Sequence, residues 1–194
     1  MKSETKLTSA HGPSFLRWAG SKRKSLTLLT SAYLDADHSY IEPFAGSAAL
    51  FFCLKPRNGT LADLNGHLVN AMRQVRDRPK ELHRRLSLMP RTSRAYYRAR
   101  ETFNDMRPYG IRAAVLFVYL NRNCFNGLWR TNSTGEFDVP YGGTGVPGRK
   151  LAGCFPTVQT LAKLFGTPPP TWTKLLKAPS RAIFRYSSRR ASSC

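Results

Sequence analysis

Gly46 and Asp63 are the two residues whose types and spacing first suggest chemistry. Gly46 lies in "YIEPFAGSAALFF" (Tyr40–Phe52), where apolar residues run through Glu-Pro into a small-residue turn and out into a second apolar run. Glycine takes φ > 0 readily and has no side chain to block a ligand. A helix starting after such a turn offers unpaired N–H groups. Asp63 ends the next apolar run, "GTLADLN" (Gly59–Asn65). In nucleotide-binding folds an acid about 20 residues beyond the glycine turn holds ribose hydroxyls. The structural alternative is that Gly46 only turns the chain and Asp63 caps a helix starting near Asn65.

These residues need elements to place them. Tyr40–Phe44 reads as a buried strand, Ser47–Leu54 as a helix, and Gly59 onward as a second strand ending at Asp63. Helical patterns follow over His67–Val75, Pro79–Leu88, Arg94–Asp105 and Ile111–Leu120. Tyr96, Tyr97 and Phe103 are expected on the apolar side of the third. The segment "NRNCFNGLWRTNSTGEFDVPYG" (Asn121–Gly142) is rich in Asn, Gly and aromatics, and its "STGEF" predicts a turn between two short strands. Residues 1–12 read as loose. Beyond about Phe165 the text is heavy in Pro, Ser and Arg and predicts poor order.

Composition narrows the function classes. The 194 residues carry a net charge of +20, with 41% hydrophobic and 22% charged residues. A core is affordable in size, and so large an excess of positive charge favours polyanions, nucleic acid before membrane surface. All eleven acidic residues lie at or before Asp138, whereas Val139–Cys194 holds nine Lys or Arg and no acid. The four cysteines are far apart and the four histidines show no ligand spacing, so no metal site is expected. Without a leader or a long apolar run, a reducing, cytoplasmic setting away from any membrane is expected.

Four segments, "RWAGSK", "IEPFAGSAAL", "LADLN" and "LNRNCFNGLWRTNSTGEFDVPYG", resemble the DNA adenine methylase (Dam) family in that family's order, over about residues 14–142. The resemblance implies an α/β fold: an incomplete Rossmann-like methyltransferase core with a helical insertion and a DNA-reading β-hairpin. It implies S-adenosylmethionine as cofactor, double-stranded DNA as partner, a monomer, and compatibility with a companion restriction enzyme. Residues 14–65 would be the cofactor part, 66–142 the target-recognition insertion with its hairpin, and 143–194 a basic tail.

By the same resemblance, Trp18 and Lys22 contact the cofactor, the indole on the adenosine or sulfonium and the lysine at the carboxylate. Ser21 stands where the family usually has glycine. Glu42, Pro43, Phe44 and Gly46 form the turn that cradles the amino-acid end, with Ala48 a tolerated small residue. Asp63 corresponds to the ribose-holding acid. Phe125 and Asn126 would lie near the flipped base, Leu128 and Arg130 would reach base edges, and Pro140 would shape the hairpin's end. Arginine can donate two hydrogen bonds to guanine, worth about 1–3 kcal/mol of discrimination. Read without the family, Phe125, Trp129 and Phe137 form a local cluster holding the hairpin.

The family's Asp-Pro-Pro-Tyr motif, which accepts the adenine amino hydrogens and stacks the base, is absent, as are its Asn, Ser, Phe and Trp variants. "TPPPTW" (Thr167–Trp172) has no acid. Family spacing puts the motif near Arg185–Arg190, where the chain reads "RYSSRR". The family lead-in resumes at "GRKLAGCFPTVQTLAKLF" (Gly148–Phe165) and then stops, so a frameshift or disrupted gene after about residue 165 is expected. No catalytic residue is therefore assigned. The expectation is an impaired adenine-specific methyltransferase; the alternative is a non-catalytic basic DNA-binding protein. An RNA- or ribosome-associated basic domain would share the charge but not the four ordered motifs.

Overall fold

A computed structural model describes residues 14–32, 40–56, 58–143 and 183–187, the last for its backbone alone. The expectations for residues 1–12, for Gly148–Phe165 and for Thr167–Trp172 fall outside these residues.

Among the described residues, helix and strand are mixed. Strand β1 (Tyr40–Glu42) leads through the Gly46 corner into helix α2 (Ala49–Leu54), which returns to strand β2 (Asn58–Ala62); a short helix α1 (Leu26–Ser31) precedes them. β1 and β2 pair in parallel, with Ile41 opposite Thr60 and Glu42 opposite Leu61. A third strand, β3 (Ile183–Ser187), pairs antiparallel on the other side of β2, giving the order β1-β2-β3.

The strand and helix at the corner are both shorter than the sequence predicts. β1 stops at Glu42 because Pro43 has no N–H for the ladder. Helix α2 starts at Ala49, not Ser47, because Gly46 (φ 49°) and Ala48 (φ 51°) are both left-handed. The backbone folds on itself there, with the Ala48 N–H on the Ala45 carbonyl at 2.7 Å and the Ala45 N–H on the Ala62 carbonyl at 2.9 Å.

Four helices follow: α3 (Gly66–Asp77), α4 (Pro79–Ser87), α5 (Ser93–Asn104) and α6 (Gly110–Asn123). The starts of α3, α4 and α5 obey local rules. The Asn65 side chain accepts the Leu68 N–H at 3.1 Å, Thr92 accepts the Ala95 N–H at 3.2 Å, and Pro79 fills the first turn of α4. α6 is buried on nearly every side, from Ile111 to Leu120, with Arg112 turned to solvent. A helix apolar all round belongs in the middle of a core. α3, α4 and α5 pack on it.

On α5, Tyr96 and Phe103 are buried as expected, but Tyr97 is 37% exposed. One residue is about 100° of helical turn, so neighbours cannot share a face. Tyr97 instead receives the Arg100 guanidinium 4.9 Å from its ring centre.

Candidate functional site

The corner after β1 gathers the residues singled out for a cofactor. The Gly46 N–H donates to Asp63 Oδ2 at 2.9 Å, and the Asn65 N–H donates to Asp63 Oδ1, also at 2.9 Å. On the other side of Gly46 lies the Trp18 indole. A Cβ added to Gly46 would sit 2.8 Å from Trp18 Cδ1 and 3.1 Å from Nε1. The glycine is therefore required twice, by its positive φ and by the ring against it.

Lys22 and Glu42 form the second half of the corner. Lys22 Nζ donates to Glu42 Oε1 at 2.8 Å and to the Phe44 carbonyl at 2.7 Å. Tyr40 donates its hydroxyl proton to Glu42 Oε2 at 2.8 Å. The Glu42 side chain is only 4% exposed, so this is no surface ion pair. Both carboxylate oxygens are satisfied, as burial demands. Ser21, the departure from the family pattern, has its hydroxyl 2.9 Å from that of Ser47. Pro43 and Phe44 bulge outward, Phe44 being 73% exposed.

Two contributors escaped the sequence reading. Tyr40 orients Glu42, a strand pairing at i and i+2 on one face that alternation could have revealed. Leu64, beside Asp63, is 96% exposed. Its signal is an apolar residue directly after the acid, where a polar turn residue would be unremarkable.

The segment from Phe125 to Pro140 forms a strap across α5. Instead of two regular strands it makes isolated antiparallel bridges, Thr131 with Phe137 and Cys124 with Tyr141, around a turn closed by the Gly135 N–H on the Asn132 carbonyl at 3.0 Å. Side chains of α5 take up its backbone groups, which leaves few for a ladder. Tyr96 donates to the Val139 carbonyl at 2.7 Å, and Asn104 exchanges hydrogen bonds with the Phe137 carbonyl and N–H at 3.2 and 3.0 Å.

Phe125 (51% exposed) and Leu128 (38% exposed) project from the strap. Asn126 is exposed and left-handed, with φ 51°. Arg130 is exposed and its Nε donates to Asp138 Oδ1 at 2.9 Å. That bond raises its already high pKa. Pro140 contributes its carbonyl, which accepts the Phe125 N–H at 2.9 Å. The expected local cluster therefore splits: Trp129 and Phe137 stack at 4.8 Å between ring centres, while Phe125 stands apart in solvent. At the strap's start, burial pushes the Cys124 thiol up to about 11, and its Sγ donates to the Leu128 carbonyl at 3.2 Å.

The two regions touch. A cleft of about 280 Å³ has Trp18, Ser21 and Arg23 on one wall and Asn126, Gly127 and Leu128 on the other. Burial, and then the nearby charge of Arg122, lower the Arg23 pKa, and Nε of each arginine is buried without a hydrogen-bond partner among the described residues.

Residues 18–149 match the family described as D12 class N6 adenine-specific DNA methyltransferase. The chain belongs to that family. It is 39% identical over 133 residues to a DNA adenine methylase of Escherichia coli K12, covering 66% of this chain and 47% of that protein. It is 36% identical over 133 residues to the Type II methyltransferase M1.LlaDCHI of Lactococcus lactis subsp. cremoris, with the same coverage. Against the DNA N-6-adenine-methyltransferase of Escherichia phage P1 it is 35% identical over 135 residues, 66% of this chain and 17% of that protein. The chain thus spans about half the length, or less, of these relatives. No helix among the described residues is long and apolar enough to cross a membrane.

Proposed function

We propose that this chain binds S-adenosylmethionine at the Trp18–Gly46–Asp63 corner and duplex DNA along the strap, as part of an adenine-specific methyltransferase. The observation that carries the reading is the meeting of Trp18, Gly46 and Asp63 at one point, from three separate segments.

The residues present suit the cofactor. Each Asp63 oxygen accepts one backbone N–H and keeps a second lone pair for a ribose hydroxyl. The exposed Leu64 and Phe44 offer apolar surface that a purine face would cover. Lys22, 36% exposed, keeps a third N–H donor for the carboxylate of the amino-acid end, and buried Glu42 orients it. When bound, S-adenosylmethionine supplies an electrophilic methyl group on a sulfonium.

On the strap, Phe125 is an exposed aromatic beside a backbone held left-handed at Asn126, suited to wedge between base steps. Arg130 is oriented by Asp138 and keeps donors free for a guanine edge. The net charge of +20 favours a polyanion.

Methyl transfer also needs acceptors for the adenine amino hydrogens. The 194 residues contain no Asp-Pro-Pro-Tyr motif or variant of it. We therefore infer that they bind both partners without completing transfer unaided. One observation favours the alternative of DNA binding without a cofactor: Asp63 already has a structural task in holding Gly46 and Asn65. Calorimetry with S-adenosylmethionine decides between them, with binding supporting the cofactor reading and no heat at millimolar concentration rejecting it. Labelled methyl incorporation into adenine-containing duplex would reject the inferred lack of transfer.

A further inference from the structure

Trp18 belongs to the cofactor corner, yet its opposite face touches the strap. Its ring stacks on Trp129 with centres 6.3 Å apart and planes 19° apart. Trp129 stacks in turn on Phe137, at 4.8 Å and 28°. Phe117 of α6 backs both indoles, 4.8 Å from Trp129 and 6.4 Å from Trp18. A continuous column of rings thus runs from Gly46 to the residue that bridges Thr131 across the strap's turn.

The column has no slack at its cofactor end, where Gly46 and the Trp18 ring leave no room for even a methyl group. Interiors packed to crystal density transmit displacement instead of absorbing it. The backbone beside Trp18 is also anchored. Fully buried Asn121 accepts the Arg17 N–H at 2.9 Å and donates to the Arg17 carbonyl at 2.8 Å and the Gly127 carbonyl at 3.4 Å. With the main chain fixed by Asn121, a shift of Trp129 is passed to the Trp18 ring, and from there to the Gly46 corner.

We propose that the Trp18–Trp129 stack makes occupancy of the corner and engagement of the strap energetically dependent on each other, with Trp129 as the positioning residue. The inference rests on the two-site reading above and adds a link between the sites. Coupling of this kind is reciprocal, because each ligand must change the other's affinity by the same factor.

The test is calorimetry on the full chain with S-adenosylhomocysteine as the corner probe, with and without a saturating mixed-sequence duplex containing adenine. In the wild type the duplex changes S-adenosylhomocysteine affinity by about fivefold or more, and the reciprocal titration gives the same factor. Trp129→Phe keeps most of this factor. Trp129→Leu brings it to about one while each ligand alone binds within about threefold of wild type. If Trp129→Leu loses its cooperative melt, Phe137→Leu, which removes the ring behind Trp129, carries the same expectation. An unchanged factor in the folded leucine variant overturns the inference. So does a wild type that binds both ligands without coupling, and that outcome leaves the two-site reading standing. A wild type that binds no S-adenosylhomocysteine overturns both.

Discussion

Asp63 holds Gly46 across the corner: its Oδ2 accepts the glycine N–H at 2.9 Å while its Oδ1 accepts that of Asn65. One carboxylate thereby ties the turn after β1 to the start of α3. Replacing it removes acceptors from two N–H groups, and a donor left unsatisfied costs about 1–3 kcal/mol. Asp63→Asn keeps one oxygen acceptor and is expected to lose about 1 kcal/mol, Asp63→Ala about 2–3 kcal/mol, by urea denaturation. Both are expected to weaken S-adenosylmethionine binding by about tenfold or more, since a lost charged hydrogen bond is worth about 1.5–3 kcal/mol. An Asp63→Asn variant that binds the cofactor like wild type would confine the residue to its structural task.

Much of this corner is legible in sequence because its determinants are local. A proline after a strand, a glycine at a turn and an acid ending the next strand each announce themselves by residue type. The helices are legible for the same reason, apolar periodicity placing their ends to within about three residues, although the cap of α3 is Asn65 and not Asp63. What escapes is non-local. Nothing in the spacing of Trp18 and Trp129 says that their rings stack, and Ala48 gives no residue-type sign of a left-handed backbone. The strap's lack of regular strands is decided by α5, whose Tyr96 and Asn104 side chains take its backbone groups.

Gly46→Ala tests how tightly the corner is built. The new methyl meets Trp18 Cδ1 at 2.8 Å, and φ of 49° is a left-handed value that costs a residue with a Cβ about 1–2 kcal/mol. The ring must move as well, so a total of about 2–4 kcal/mol is expected in denaturant titrations. Tryptophan near-ultraviolet dichroism should change with it, because the displaced ring is the one stacked on Trp129. A variant as stable as wild type would mean that the indole does not rest on Gly46.

Lys22 and Glu42 test the buried carboxylate. Lys22→Met leaves Glu42, 4% exposed, with the Tyr40 hydroxyl but without its countercharge. Removing one partner of a buried pair costs about 3–5 kcal/mol, and the 36% exposure of Lys22 lets water offset part of that, so about 2 kcal/mol is expected. The double variant Lys22→Met/Glu42→Gln should recover stability relative to Lys22→Met alone, because the stranded charge is gone. If the two single effects simply add in a double-mutant cycle, the pair is not coupled.

His67 places a titratable ring against the aromatic cluster of Phe103, Phe117 and Trp129. Its ring lies 4.4 Å from that of Phe103 and near Phe117 and Trp129, and its buried Nδ1 has no hydrogen-bond partner among the described residues. Burial pushes its pKa down from the ordinary 6.5 to about 4. The unfolded chain takes up this proton as pH falls through about 6.5, while the folded chain resists it until about 4. The neutral ring's contribution is therefore fully present above the unfolded value and is lost progressively between those two pH values. His67→Phe keeps an aromatic ring in the cluster and removes the titration. The variant should match or slightly exceed wild type at neutral pH, and its advantage in urea midpoint should widen as pH is lowered towards 4. A difference that stays constant over that range would show that the imidazole is protonated as easily in the folded chain as in the unfolded one.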